Sequence, residues 1–91
     1  MADETVLVID DSATILKVVQ LVLTKAGFRV ETAADGEAGL DAARQCDPDL
    51  ILLDFVMPRM NGYQFCRELV ADAKLRDIPV VLMSAKGDQV G

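Results

Sequence analysis

The sequence predicts an α/β domain built on a doubly wound parallel sheet, and two observations carry that prediction. Three short apolar runs, Thr5-Val-Leu-Val-Ile9, Asp49-Leu-Ile-Leu-Leu53 and Pro79-Val-Val-Leu-Met83, lack polar alternation, which suggests strands buried on both faces, as in parallel sheets. Between them lie stretches of helical length and periodicity with their own start and stop signals. Strands alternating with helices close by right-handed crossovers, which places helices on both sides of one sheet.

In chain order, Thr5–Ile9 forms β1, and Ser12 to Ala26 forms α1, with Ser12 as N-cap and Gly27 as the stop. Phe28-Arg-Val-Glu-Thr32 alternates apolar and polar and is β2, the strand nearest an edge. Helix α2 runs from the N-cap Asp35 to about Gln45 and is stopped by Asp47-Pro48. Strand β3 is Asp49–Leu53. Helix α3 spans Gly62 to about Ala71, where Asn61 and Gln64 have the spacing of a capping box, and β4 is Pro79–Met83. The order is therefore β1-α1-β2-α2-β3-α3-β4, one domain over residues 1–91 with no linker or repeat. A doubly wound domain would continue past the unpatterned residues 84–91, so a final helix-strand-helix is expected to be missing. Helix α1 adds to that expectation, because Ile15, Leu16, Val18, Val19, Leu21, Val22 and Leu23 cover most of its circumference and call for more than one wall. The open edge of β4 and the exposed side of α1 are both places where a second copy could pair.

Composition narrows the function. The chain has 91 residues, 9 Lys plus Arg against 15 Asp plus Glu, a net charge of −6, two cysteines and no histidine. A chain of this length buries only about 60 to 65% of its surface, which leaves room for one core. Without an imidazole there is no Ser-His-Asp triad, no His-ligated zinc and no phosphohistidine on this chain. The acidic balance argues against direct contact with nucleic acid, which needs clustered Lys and Arg. Cys46 and Cys66 are far apart with no CxxC, the pattern of small apolar residues in a reducing compartment. The start has no signal-peptide pattern, and the longest apolar stretch is broken by Lys17 and Gln20, so a soluble cytoplasmic location with no membrane partner is expected.

In open α/β sheets ligands bind beyond the carboxyl ends of the strands, where strand order reverses. Those ends carry Asp10-Asp11 after β1, Asp54 after β3 and Ser84 after β4, so three carboxylates and a hydroxyl converge on one rim. An acid at a strand end also caps helices or stays solvated, a reading that suits Asp10 or Asp11 taken singly. Asp54 sits differently, on a stiff strand end between Leu50–Leu53 and Phe55-Val-Met-Pro58. Gathered carboxylates repel, and a hard divalent cation relieves the repulsion. Mg²⁺ suits an oxygen-only site and leaves positions for phosphate oxygens.

Together the segments Val-Leu-Val-Ile-Asp10-Asp11-Ser, Asp-Leu-Ile-Leu-Leu-Asp54-Phe-Val-Met-Pro58-Arg-Met-Asn-Gly62 and Pro-Val-Val-Leu-Met-Ser84-Ala85 resemble the receiver domain of bacterial two-component response regulators, of the chemotaxis-receiver type, with its flavodoxin-like fold. The likeness spans Thr5 to about Lys86. It implies that Asp54 is the phosphoacceptor, Asp11 a direct Mg²⁺ ligand, Asp10 a ligand through water, and the Val56 backbone carbonyl the remaining protein ligand. Ser84 would donate its hydroxyl to a phosphoryl oxygen. Pro58 fixes φ in the loop after β3, and Gly62 permits a tight entry to α3. Met57 fits loop geometry and plain packing equally, and Met60 reads as packing. The implied partners are a sensor histidine kinase, which supplies the phosphoryl group, and a downstream output protein or domain. Such a chain is not a turnover enzyme, although it assists its own phosphoryl transfer.

The family also carries a Lys-Pro pair and a switching aromatic beyond β4, and neither is in this sequence. The nearby cation is Lys86, two residues past Ser84 and on the same side if strand geometry persists, though a solvated loop lysine is the simpler reading. Two readings from different classes follow. One is a Mg²⁺-dependent phosphoacceptor; the other is a receiver-shaped interaction module, or inactive shortened chain, that acts without phosphorylation. An aspartate-nucleophile phosphatase of another α/β family fits less well, since Asp10 and Asp11 are adjacent rather than Asp-x-Asp and no cap is present.

Overall fold

The computed structural model describes residues 4–57 and 60–83, and within them the elements follow the expected order. They are β1 (Thr5–Ile9), α1 (Ala13–Lys25), β2 (Arg29–Ala33), α2 (Gly36–Cys46), β3 (Leu50–Asp54), α3 (Gly62–Ala71) and β4 (Val80–Met83). The four strands form one parallel sheet in the order β2-β1-β3-β4. From β1 the chain first adds β2 on one side and then β3 on the other, so strand order reverses between β1 and β3. A crevice opens at their carboxyl ends.

Local signals start and stop the helices as read. Ser12 Oγ accepts the Ile15 N–H at 3.3 Å, Asp35 Oδ1 accepts the Ala38 N–H at 2.8 Å, and Asn61 and Gln64 exchange bonds of 2.9 and 3.0 Å. Each satisfies amide donors that a first turn leaves open. Helix α1 ends in a Schellman arrangement: Gly27 at φ +101° lets its N–H reach the Thr24 carbonyl and the Phe28 N–H reach that of Leu23. Asp47 closes α2 in the left-handed region, φ 50°.

Three strands begin one residue later than read. The N–H of Phe28 is spent on the cap of α1, so pairing of β2 starts at Arg29 opposite Thr5. Asp49 turns its carboxylate back to the Thr5 N–H at 2.8 Å, and β3 starts at Leu50 opposite Val6. Pro79 has no N–H to donate; its carbonyl takes the Ile51 N–H at 3.0 Å and the ladder of β4 starts at Val80.

The two faces of the sheet are unequally covered. Alternation sends Leu7, Ile9, Ile51 and Leu53 to the face under α2 and α3, where they form a closed core with Leu40, Ala43, Phe65, Leu69 and Leu75. Val6 and Val8 point the other way, beneath α1. Helix α1 reaches only that side of β1 and β2. Leu50 and Leu52 are half-buried beside a 200 Å³ groove that they share with Val6, Leu23 and Phe28, and acidic Glu4 and Asp49 stand at its edge. Burial on both faces thus holds for β1 and fails for β4, where Val81 and Leu82 are each about half exposed. By register Val81 shares the α1 side with Leu52, where among the described residues no helix lies over it, and Leu82 shares the opposite side with Leu53, at the start of α3, and is half exposed there too. Helix α1 likewise has no fully buried residue, with Val18, Leu21 and Val22 more than half exposed.

A polar tie joins the end of α2 to the turn after α3. Asp72 takes the Lys74 N–H at 2.9 Å and the Arg44 guanidinium at 3.2 Å, and in that order they hold its carboxyl below the ordinary aspartate value. The Lys74 ammonium donates to the Arg44 carbonyl. Cys46 and Cys66 are free thiols, and burial pushes both up from their ordinary pKa, assisted at Cys46 by Glu31. Neither is poised as a thiolate nucleophile.

Candidate phosphoacceptor site

Strands β1 and β3 are hydrogen-bonded neighbours in parallel, with Ile9 opposite Leu53, so their next residues emerge side by side at the crevice. Carboxylate oxygens of Asp10, Asp11 and Asp54 all lie within 4.8 Å of one another. The three differ in setting. Asp10 is only 7% exposed, its N–H held by the Ala33 carbonyl and its Oδ1 accepting the Ser12 N–H at 2.8 Å. Asp11 is exposed and Asp54 intermediate, with Asp54 Oδ1 facing the Val56 N–H at 3.4 Å. All three donors are hard oxygens, and the cluster leaves Asp11 and Asp54 open to solvent. That donor set fits Mg²⁺, which binds through few carboxylates and retains waters.

The loop after β3 is closed on itself. Gly62 donates its N–H to the Phe55 carbonyl at 2.8 Å, and the Asn61–Gln64 box starts α3 immediately beyond. Gly62 is required by close approach rather than by an unusual φ: a Cβ there would stand 3.0 Å from the Phe55 Cα and 2.9 Å from its ring. Met57 is buried in the main core, which decides between the two roles open for it, and Met60 packs against that core from the edge, the packing role read for it. Val56 is exposed two residues past Asp54.

Of the residues singled out in the sequence, Asp10, Asp11, Asp54, Val56 and Gly62 are at or beside this rim. Pro58, Ser84 and Lys86 lie outside the described residues. One contributor is not evident from the sequence pattern: Ser12, the N-cap of α1, also gives its N–H to Asp10, a turn that the Asp-x-Ser spacing encodes.

The response regulator receiver domain family matches residues 6–90. The chain belongs to the response-regulator receiver family. Among curated relatives, the receiver is 40% identical over 85 residues to "Probable transcriptional regulator ycf27" of Guillardia theta, covering 93% of this chain and 32% of that protein. It is also 40% identical over 87 residues to "DNA-binding response regulator MtrA" of Mycobacterium tuberculosis, covering 96% and 37%. The chain thus spans about a third of the length of the curated relatives it matches. DNA binding is named for the longer MtrA protein, so the expectation of no nucleic-acid partner, drawn from the charge of this segment, does not extend to a protein of that length. Among solved structures, the N-terminal domain of a response regulator receiver protein from Methanoculleus marisnigri JR1 superposes with a TM-score of 0.87 at 41% identity, covering 90% of this chain and 67% of that one. The Vibrio cholerae chemotaxis protein CheY4 superposes at 0.83 with 33% identity, covering 94% and 75%. The receiver is therefore part of two-component signalling. Among its described residues no helix is long and apolar enough to cross a membrane.

Proposed function

We propose that this receiver accepts a phosphoryl group on Asp54 from the phosphohistidine of a sensor histidine kinase, with Mg²⁺ bound, and that the modified chain alters its contacts with a downstream output protein. The observation that carries the reading is the meeting of three carboxylates within 4.8 Å at the crevice of a receiver fold. Such a concentration of negative charge has no structural merit of its own.

Asp10, Asp11 and Asp54, with the Val56 carbonyl, would hold the metal. When bound, Mg²⁺ supplies the positive charge that offsets these carboxylates and the phosphoryl oxygens. An Asp54 carboxylate oxygen attacks phosphorus in line; the new O–P bond forms as the donor's P–N bond breaks, and the imidazole leaves with the electron pair. Asp10, fixed by the Ser12 N–H, keeps its position while this happens. Ser84 contributes its hydroxyl to a phosphoryl oxygen, and Lys86 is the cation nearest to it in sequence. The chain is a phosphoacceptor that passes through one modification per cycle, not an enzyme acting on a released substrate.

Intact-mass spectrometry after incubation with acetyl phosphate tests this. We expect a Mg²⁺-dependent gain of one phosphoryl mass in the native chain and none in Asp54→Asn. No gain in the native chain, with circular dichroism showing folded α/β structure, would overturn the proposal in favour of an interaction module that works without phosphorylation.

A further inference from the structure

Asn61 is the single asparagine of the chain, and glycine follows it. That pair carries a chemistry of its own. The backbone nitrogen of the residue after an asparagine can attack the side-chain amide carbon, and glycine, with no Cβ, hinders the attack least. The new bond joins the Gly62 nitrogen to Asn61 Cγ as the Cγ–Nδ2 bond breaks; Nδ2 leaves as ammonia, carrying the proton that the glycine N–H gives up. Water then opens the five-membered imide at either carbonyl. The product is aspartate or, with one more methylene in the main chain, isoaspartate. Asn61 is exposed, so water reaches it.

The structure opposes the first step in three ways. Ring closure needs the Asn61 Cβ and the Gly62 nitrogen eclipsed about the Cα–C bond, and the extended ψ of 175° holds them staggered. Asn61 Oδ1 accepts the Gln64 N–H at 2.9 Å while Gln64 Oε1 accepts the Asn61 N–H at 3.0 Å, which aims the side-chain amide along the first turn of α3. Gly62 is buried, and its N–H, whose proton must leave, is spent on the Phe55 carbonyl at 2.8 Å. The bonds that start α3 therefore also shut the reaction off, and local opening of that turn releases them together.

We propose that Asn61–Gly62 is a self-modification site gated by the capping box of α3, closed while the first turn is formed and converted to aspartate or isoaspartate when it opens. The two products differ in what they leave behind. Aspartate restores a good N-cap and adds negative charge at a helix N-terminus. Isoaspartate lengthens the main chain where Gly62 already stands so close to Phe55 that a Cβ would lie 3.0 Å from its Cα, and so pulls the cap and the Gly62-to-Phe55 bond out of register. The inference uses none of the metal ligands and is independent of the phosphoacceptor reading.

The test is the rate of ammonia loss at Asn61, read by peptide mass spectrometry as conversion of its amide to an acid, at mildly alkaline pH and one temperature. Asp35-Gly36 can form the same imide by losing water, but its hydrolysis restores the original mass and leaves the readout clean. The native chain is compared in its folded state, checked by circular dichroism, and in guanidinium chloride. Gln64→Ala, which removes one bond of the box from an exposed position, is compared in the same way. We expect conversion in the folded native chain to be at least about tenfold slower than in denaturant, since a cap and a backbone hydrogen bond together hold the turn by about that factor. Folded Gln64→Ala is expected to convert several-fold faster than the folded native chain, with the two alike in denaturant. Equal rates in the folded and denatured native chain, or a folded Gln64→Ala as slow as the native chain, would overturn the gate. If Gln64→Ala does not fold, the native comparison decides alone.

Discussion

Magnesium at a hundred times its dissociation constant is expected to raise the unfolding midpoint of this chain by roughly 10 to 20 °C, and Asp11→Asn to abolish that response while making the metal-free chain more stable. The first figure follows from linkage: a ligand at that concentration adds about 2.7 kcal/mol. Each kcal/mol moves the midpoint of a domain this small by about 4 to 8 °C. The second follows from charge. Asp11 is the exposed member of a cluster whose oxygens stand within 4.8 Å, and unit charges about 4 Å apart repel by about 1 kcal/mol even in bulk water. Asn keeps the shape and removes that term. Differential scanning calorimetry with and without Mg²⁺ checks both signs at once. A variant that still gains stability from the metal would remove Asp11 from the ligand set.

The largest loss of stability is expected from Phe65→Ala. Phe65 is fully buried and, with Leu69, presses α3 onto Ile51 and Leu53; its ring also lies 3.3 Å from where a Cβ on Gly39 would be. Truncating such a ring costs about 3 to 5 kcal/mol, against a total of about 5 to 15 for a domain of ordinary stability. Urea unfolding should show the midpoint falling sharply with the slope unchanged. A loss below about 1 kcal/mol would mean that α3 contributes little to the core.

The fold was legible because its strands are apolar and its helices carry their own caps: Ser12, Asp35 and Asn61 are all N-caps, and Gly27 and Asp47 both close helices. The acidic site was legible for a topological reason. In a parallel sheet every strand ends on the same edge, so residues that follow β1 and β3 need no long-range pairing information to be brought together. Strand starts were less legible, since alternation does not reveal that the Phe28 N–H closes α1 or that the Asp49 carboxylate is used by Thr5. The apolar run of β4 promised two covered faces. Whether a face is covered depends on which helices cross it, a property of the assembled layers and not of Val80-Val-Leu-Met83.

The strand order has a consequence for how the amides of the sheet exchange with solvent deuterium. β1 is hydrogen-bonded on both edges and buried along Val6–Ile9, whereas β4 pairs only with β3 among the described strands and has half-exposed Val81 and Leu82. Opening β4 exposes little core; opening β1 separates the sheet. Exchange should therefore be slowest in the two inner strands, β1 and β3, and faster in the edge strands β2 and β4, with the carboxylate rim carried by the inner pair. The backbone that aims Asp10 and Asp54 then survives fluctuations that release the far edge, so the site can stay assembled while that edge opens and closes.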